Sequence, residues 1–225
     1  MKILAISDTH SLHNKIPKDW FIEADMIIHA GDTCNSGAIT EGIDFLEWFD
    51  SLDYQYKIFI AGNHDFCFAR KDQYIQNIIK EEFPNIIYLE DSGVEIEGIK
   101  IYGSPQTPYF HNWAFNCARN DYDALTYNKP VISHFWDKIP KDTNILITHG
   151  PVKGILDFVP YNGGEFVGCD DLKEAILTLP DLKTHICGHI HCARGEEFHN
   201  GVHYINASNC TERYEPIQKP ILFEI

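Results

Sequence analysis

Apolar and polar positions in the first 65 residues follow two alternating periods. Lys2 to Ser7, Met26 to Ala30 and Lys57 to Ala61 are short β-rich runs that stop at a polar residue or glycine, as strands buried on both faces do. Between the second and third runs, Ile43, Phe45, Leu46, Phe49 and Leu52 recur at helical spacing. After the third, Tyr74, Ile75, Ile78, Ile79 and Phe83 do the same. This alternation predicts βαβ-like units. Asp8, Asp32 and Asn63 each fall just past the end of a predicted strand, where open α/β sheets place their sites.

The second half has shorter periods. Ile86 to Leu89, Val94 to Glu97 and Lys100 to Gly103 read as strands, with Gly98 marking a hairpin turn. A helix is expected around Val131 to Lys138, followed by a strand over Asn144 to Thr148. Leu172, Ala175, Ile176 and Leu179 form a helical stripe, with Asp171 and Glu174 resembling a capping box and Pro180 beyond its end. Strands at Thr184 to Cys187, Val202 to Asn206 and Ile221 to Ile225 are expected to complete a second sheet. No repeat, low-complexity tract or linker interrupts the pattern, so residues 1–225 are expected to form one domain, with an aromatic-rich loop segment over about 104–130.

Composition narrows the partners. A formal charge of -15 repels phosphate polymers, so extended nucleic-acid binding by charge neutralisation is not expected. No run approaches membrane-spanning length, and Ile3 to Ile6 is too short for the apolar region of a leader. Seven cysteines with no CxxC pair fit reduced thiols and a cytoplasmic setting. The G-x-S-x-G and G-K-[ST] motifs of serine hydrolases and P-loop enzymes are absent.

The chemistry lies in five separated segments: Asp8-Thr9-His10, Gly31-Asp32, Gly62-Asn63-His64-Asp65, Thr148-His149-Gly150 and Gly188-His189-Ile190-His191. Each residue alone has a bland reading: Asp8 as a cap or turn residue, His10 as a surface histidine, Asn63 and His149 as turn residues. Together they offer the mixed oxygen and nitrogen donors that suit manganese, iron, cobalt or zinc, divalent or trivalent, with manganese the first choice. Asp32 is the bridging candidate, because one carboxylate has two oxygens. Asp8 and His10, two apart at a strand end, are expected to point the same way and hold one ion with His191. Asn63, His149 and His189 would hold the other, the period-2 spacing of His189 and His191 turning both to one site. His29 and His185, inside strand patterns, are expected to be satisfied core residues.

The order Asp-x-His, Gly-Asp, Gly-Asn-His-Asp, His-Gly, Gly-His-x-His resembles the calcineurin-like metallophosphoesterase superfamily. That resemblance implies an α/β (α+β) fold of two mixed β-sheets in a sandwich flanked by helices. More narrowly, Gly103 to Asn116, Val167-Gly-Cys169 and Asn206-Ala-Ser208 look like its MPPED-type phosphodiesterase branch. The resemblance implies that His64 is a catalytic, non-ligand histidine that protonates the leaving alkoxide. Asp65 would orient that region or cap the following segment. A dinuclear-metal-dependent phosphodiesterase acting on a small ester such as a cyclic nucleotide is therefore expected. Phosphomonoesterase or protein phosphatase is the alternative, although Gly31 to Gly37 lacks the Arg of Gly-Asp-x-x-Asp-Arg-Gly. A non-catalytic metal-binding scaffold is the alternative of another class, and no ligand is missing here. Within the aromatic segment, Trp113 and His111 are candidate substrate contacts, by base stacking or as part of a packed cap or dimer contact. Arg194 is a candidate phosphate contact. The expected partner is a small phosphoester, with no membrane and with a homo-oligomer left open.

Overall fold

Strands apolar on alternate positions in both directions can be covered on both faces, and here they are. In the computed structural model, which describes residues 1–70, 72–161 and 163–225, two sheets pack face to face. Ile3, Ala5, Ile28, Ile58 and Ile60 of one sheet meet Ile101, Ile145, Ile147, Ile186 and Ile205 of the other. The intervening positions Leu4, Ile6, Ile27 and Phe59 turn outward under the helices Ile39–Asp50 and Tyr74–Glu82, through Phe45, Leu46, Phe49, Ile75 and Ile79. On the opposite face, Leu146 and Tyr204 lie beneath Trp136, Leu172 and Ile176. Each such buried side chain contributes about 1.5–3 kcal/mol, which is why continuous apolar runs, not half-polar ones, mark these strands.

The first sheet has the order Ile221–Glu224, Lys2–Ile6, Met26–Ala30, Tyr56–Ile60, Ile86–Tyr88, all parallel but for the first pair. The second has the order Gly195–His199, Val202–Asn206, Thr184–Cys187, Ile145–Thr148, Ile99–Ser104, Ser92–Ile96, with antiparallel pairs at its two edges. Parallel pairing has a direct consequence for chemistry. The C-terminal ends of three neighbouring strands lead into Asp8, Asp32 and Asn63, and those of two neighbours in the second sheet lead into His149 and His189.

Several expectations need correction. The C-terminal strand belongs to the first sheet, not the second: it pairs antiparallel with Lys2–Ile6, placing Phe223 opposite Ile3 and burying Ile221 and Phe223 in the central core. Periodicity reads which face is apolar but not which partner an edge strand takes. The helix expected over 131–138 is a single turn, Ser133–Trp136. The later helix is Asp170–Ile176, and its cap is Cys169, whose Sγ accepts from the Leu172 amide, so Asp171 and Glu174 form no capping box. The aromatic segment is not one loop. It holds the short pair Thr107–Pro108 with Asn116–Cys117 and the helix Asp121–Tyr127, capped by Asn120 accepting from Asp123 N at 2.9 Å. Strand Gly195–His199 adds a largely exposed edge whose sequence carries no apolar run to mark it. No helix among the described residues is long and apolar enough to cross a membrane.

The buried histidines His29 and His185 are satisfied as expected. Gly31 N donates to His29 Nδ1 and the other ring nitrogen meets Thr9 Oγ1 at 3.0 Å. His185 Nε2 meets Thr148 Oγ1 at 2.8 Å, while that hydroxyl donates to the Gly150 carbonyl. Burial pulls both rings down to about 3. A depressed histidine takes up its proton only in the unfolded chain as pH falls below about 6.5, so it removes stability on acidification. His185→Gln should therefore flatten the fall in unfolding free energy between pH 6 and 5 by about 1.4 kcal/mol per pH unit, the linkage for one proton. Urea titrations of both proteins check this, and identical slopes would show that His185 is not held neutral.

Candidate metal centre

The backbone leaves the strands abruptly where the donors begin. Asp8, His10, Asp32 and His189 all adopt left-handed φ values, 54°, 44°, 56° and 68°. Such conformations cost about 1–3 kcal/mol each for non-glycine residues and persist only where surroundings fix them. Here Asp8 N donates to Gly31 O at 2.9 Å and His10 N to Asp32 O at 3.0 Å, stitching two ligand loops together. Asp8 and His10 thus converge through a turn, not through the strand alternation that suggested them. The same holds for His189 and His191, which flank the buried Ile190 outside any strand.

Asp8, His10 and His191 form one group. His191 Nε2 lies 3.3 Å from Asp8 Oδ1 and 3.2 Å from His10 Nε2. Asp32, His149 and His189 form a second, and His149 Nε2 sits 3.3 Å from Asp32 Oδ2 and 3.0 Å from the side-chain oxygen of Asn63. Asp32 Oδ2 also lies 3.8 Å from His10 Nε2, so one oxygen looks toward both groups. Its other oxygen accepts from His64 N at 2.8 Å. The structure therefore brings Asp8, His10, Asp32, Asn63, His149, His189 and His191 together in the expected two sets, with Asp32 between them and His64 alongside, grouped with His10 and Asp32.

Hydrogen bonds behind the donors show what fits between them. His149 Nδ1 donates to Ala30 O at 2.9 Å and His191 Nδ1 donates to Thr211 O at 3.0 Å. Each ring then offers a lone pair on Nε2, facing Asp32 and Asn63 oxygens in one case and the Asp8 carboxylate in the other. Acceptors aimed at acceptors in a buried space call for something positive between them, and the mixed oxygen and nitrogen donor set suits a shared metal cation. Protons are the only other candidates. Burial would depress His149, but Asp32 outweighs it and raises the ring to about 9. His191 is raised likewise, burial being overcome by its bond to Asp8. Burial pulls His10 and His189 down to about 4. Asp8 and Asp32 would be pushed up by burial, yet His191 holds Asp8 and His149 holds Asp32 well below the usual carboxylate range.

Two glycines explain the motif spacing. A Cβ on Gly62 would stand 2.3 Å from Asp32 Oδ1, and one on Gly188 would stand 2.2 Å from Asp8 Oδ2. Both carboxylates occupy space that any other residue would fill. Around them, Asp8 accepts from His189 N at 3.0 Å and from Ser208 Oγ at 2.8 Å. Asp65, fully buried, accepts from Thr33 N, Thr33 Oγ1, Cys34 N and Gly62 N. It clamps the Asp32 loop to the Asn63 loop, although burial and nearby Asp32 push its carboxyl up to about 6.

His10, Asp32, Asn63, His189 and His191 open into a cavity of ≈ 300 Å³ that is also lined by Thr107, Trp113, Asn116, Glu212 and Tyr214. A larger groove of ≈ 810 Å³ between the helix Tyr74–Glu82 and the strand Ile86–Tyr88 contains none of these donors, so chemistry and not size selects the site. Trp113 reaches the cavity, and one face of its ring stacks on His64 at 4.3 Å with Phe66 6.2 Å away. His111 and Arg194 are not among the lining residues. His111, at a left-handed φ of 54°, is exposed against Phe110, and its carbonyl accepts from the Asn116 amide. Arg194 donates instead to Lys219 O at 2.6 Å. Tyr214, from a segment whose sequence has no periodicity to mark it, meets the His10 ring edge-on with centroids 4.7 Å apart. Asn206 and Ser208, noted only for resemblance, hold the Ile190 carbonyl and Asp8.

The calcineurin-like phosphoesterase family model matches residues 1–193. Human metallophosphoesterase domain-containing protein 1 is 35% identical over 245 aligned positions, covering 100% of this chain and 71% of that protein. A UPF0046 protein of Caenorhabditis elegans is 33% identical, covering 100% of this chain and 75% of its own. Among solved structures, a phosphopantetheinyl hydrolase from Mycobacterium tuberculosis superposes with a TM-score of 0.61 at 15% identity, over 99% of this chain and 95% of that one, a likeness of fold.

Removing the shared carboxylate is the direct test of the two-ion arrangement. Elemental analysis after reconstitution should find two transition ions per chain in the wild type and loss of both, or severely weakened binding, in Asp32→Ala. Two tightly held ions and full activity in that variant would refute the bridging position.

Proposed function

Because the chain belongs to the calcineurin-like phosphoesterase family, we propose that it is a dinuclear-metal-dependent phosphodiesterase acting on a small ester such as a cyclic nucleotide, with manganese the favoured metal. The observation that carries this reading is the convergence of two buried donor groups on one shared carboxylate, with His64 at their side. When bound, two such cations would supply the positive charge that activates water and neutralises the phosphoryl transition state.

The chain's own residues divide the remaining work. His64 Nδ1 donates to Asn35 O at 2.7 Å, which commits that nitrogen, so the proton passed to the leaving alkoxide is the second one, carried on Nε2 by the imidazolium form of the ring. Its backbone amide, bonded to Asp32, fixes the distance between acid and donors. The non-catalytic reading is disfavoured because neither a donor nor this histidine is missing.

Diester preference has support in the cavity's charge. Among the described residues that line it there is no Lys or Arg, and Glu212 stands among them. A monoester dianion would lack the guanidinium fork that commonly grips it, whereas a diester carries one charge. The same absence disfavours the protein-phosphatase alternative. At ≈ 300 Å³ the cavity is at the lower end for small-molecule sites, in keeping with a compact ester and not a polymer. Free thiols at all seven cysteines, six of them buried, support a reducing compartment such as the cytoplasm.

His64→Ala should keep both ions and lose about 10²-fold or more in kcat on a diester with an alkoxide leaving group, the usual scale for acid catalysis. A nitrophenyl diester, whose leaving group needs no proton, should lose much less. Equal rates for the two proteins on the alkoxide ester would remove His64 from the role. A panel of cyclic nucleotides, other diesters and monoesters should show the highest kcat/KM among diesters, and a clear monoester optimum would overturn that preference.

A further inference from the structure

A single hydrogen bond from Nδ1 to a backbone carbonyl leaves an imidazole free to swing about that bond, and His64 is only half-buried. The structure closes that freedom with the face of Trp113. The two rings stack with centroids 4.3 Å apart at 27°, while the His10 ring meets His64 edge-on at 4.7 Å. The indole is held in turn. Ala114 N donates to Asn63 O at 3.0 Å, so the residue after Trp113 is tied to the residue before His64. Thr107 N donates to Phe115 O at 3.0 Å, and the Asn116 amide donates to the carbonyls of Phe110 and His111. Acid and indole therefore ride on one stitched unit instead of two independent loops.

We infer that Trp113 is a positioning residue that holds the His64 ring in its proton-donating orientation, and that it is not a stacking platform for a substrate base. The inference rests on the reading of His64 as the acid. A stacking contact biases the productive orientation by about 3- to 10-fold over the swung-out one, the size expected of an aromatic pair. Removing it should lower turnover by that factor without weakening substrate binding, because the ring it supports acts on the leaving group and not on the base.

Trp113→Ala should show a kcat about 3- to 10-fold lower on a cyclic nucleotide, with KM and ion content unchanged, from the same orientational bias. It should show little change on a nitrophenyl diester. Trp113→Phe, which retains an aromatic face, should recover most of the loss. In a His64→Ala background the tryptophan substitution should have no further effect. Independently of turnover, the His64 ring protons of the zinc-loaded protein should lie upfield under the indole ring current and move downfield in Trp113→Ala. Should Trp113→Ala fail to fold, Trp113→Leu preserves bulk without the π face and is expected to behave alike. A raised KM with unchanged kcat, the same loss in the His64→Ala background, or unmoved ring protons would each overturn the inference. If His64→Ala itself leaves turnover intact, the acid reading fails by that result, while the proton shifts still decide whether Trp113 fixes the ring.

Discussion

Acceptor facing acceptor in a buried space is the constraint on which this molecule is built. The Asp8 and Asp32 carboxylates, the Asn63 oxygen and the Nε2 atoms of His149 and His191 crowd together, so that only protons taken up by the two imidazoles or a bound cation can compensate them. Two unit charges 4 Å apart interact by about 4 kcal/mol even at an effective dielectric of 20, so such a group cannot be left uncompensated. The fold holds it from behind. Ala30 O and Thr211 O fix two imidazole tautomers, while the amides of His189 and His64 and the hydroxyl of Ser208 grip the two carboxylates. Left-handed backbone at Asp8, His10, Asp32 and His189 is the conformational cost of aiming these groups inward.

The sandwich makes that concentration of strain affordable. Parallel strands send consecutive C-terminal ends to one edge of each sheet, so loops far apart in sequence meet without long excursions. Behind those edges lies a continuous apolar interior from Ile3 and Ile58 to Ile147 and Ile205, which fixes the relative height of the two sheets. Asp65 then couples neighbouring loops directly, taking donors from Thr33, Cys34 and Gly62 at once. Geometry at the donors is thus inherited from packing in the core, one or two residues away.

Much of this is legible in the chain, though the conformation behind it often differs from the one the pattern suggests. Buried strands were readable because both faces are covered and the runs are continuously apolar. The ligand set was readable because each donor follows such a run. Asp8 with His10, and His189 with His191, were grouped by strand alternation, yet turns bring them together: residue type and position carried the inference, and local conformation did not. The sheet joined by Ile221–Glu224 was hidden because antiparallel pairing across the whole chain leaves no local trace. Tyr214 and Glu212 were hidden because the 209–218 segment is organised by backbone and amide bonds such as those of Gln218 to Cys210 and His191, which have no period. Arg194 was over-read from its proximity in sequence to His191, when the 3-10 turn at His191–Ala193 sends its guanidinium to Lys219 instead.

If the proposed reading holds, a chain of net charge -15 has to draw an anionic ester to one place while repelling it elsewhere. With no Lys or Arg among the described lining residues, attraction within the cavity depends on what the paired donor groups hold, and it falls away within about 8–10 Å in physiological salt. On the proposed reading the phosphorus would then sit close to Asp32, and the remainder of the substrate would contribute through shape against the lining at Thr107, Asn116 and Tyr214 more than through charge. Glu212 reinforces this selection, since a second phosphate extending toward it would meet a like charge. On the proposed reading, an uncharged leaving group joined through one diester linkage would meet these conditions at once, whereas a polyphosphate or nucleic-acid strand would bring further charge toward Glu212.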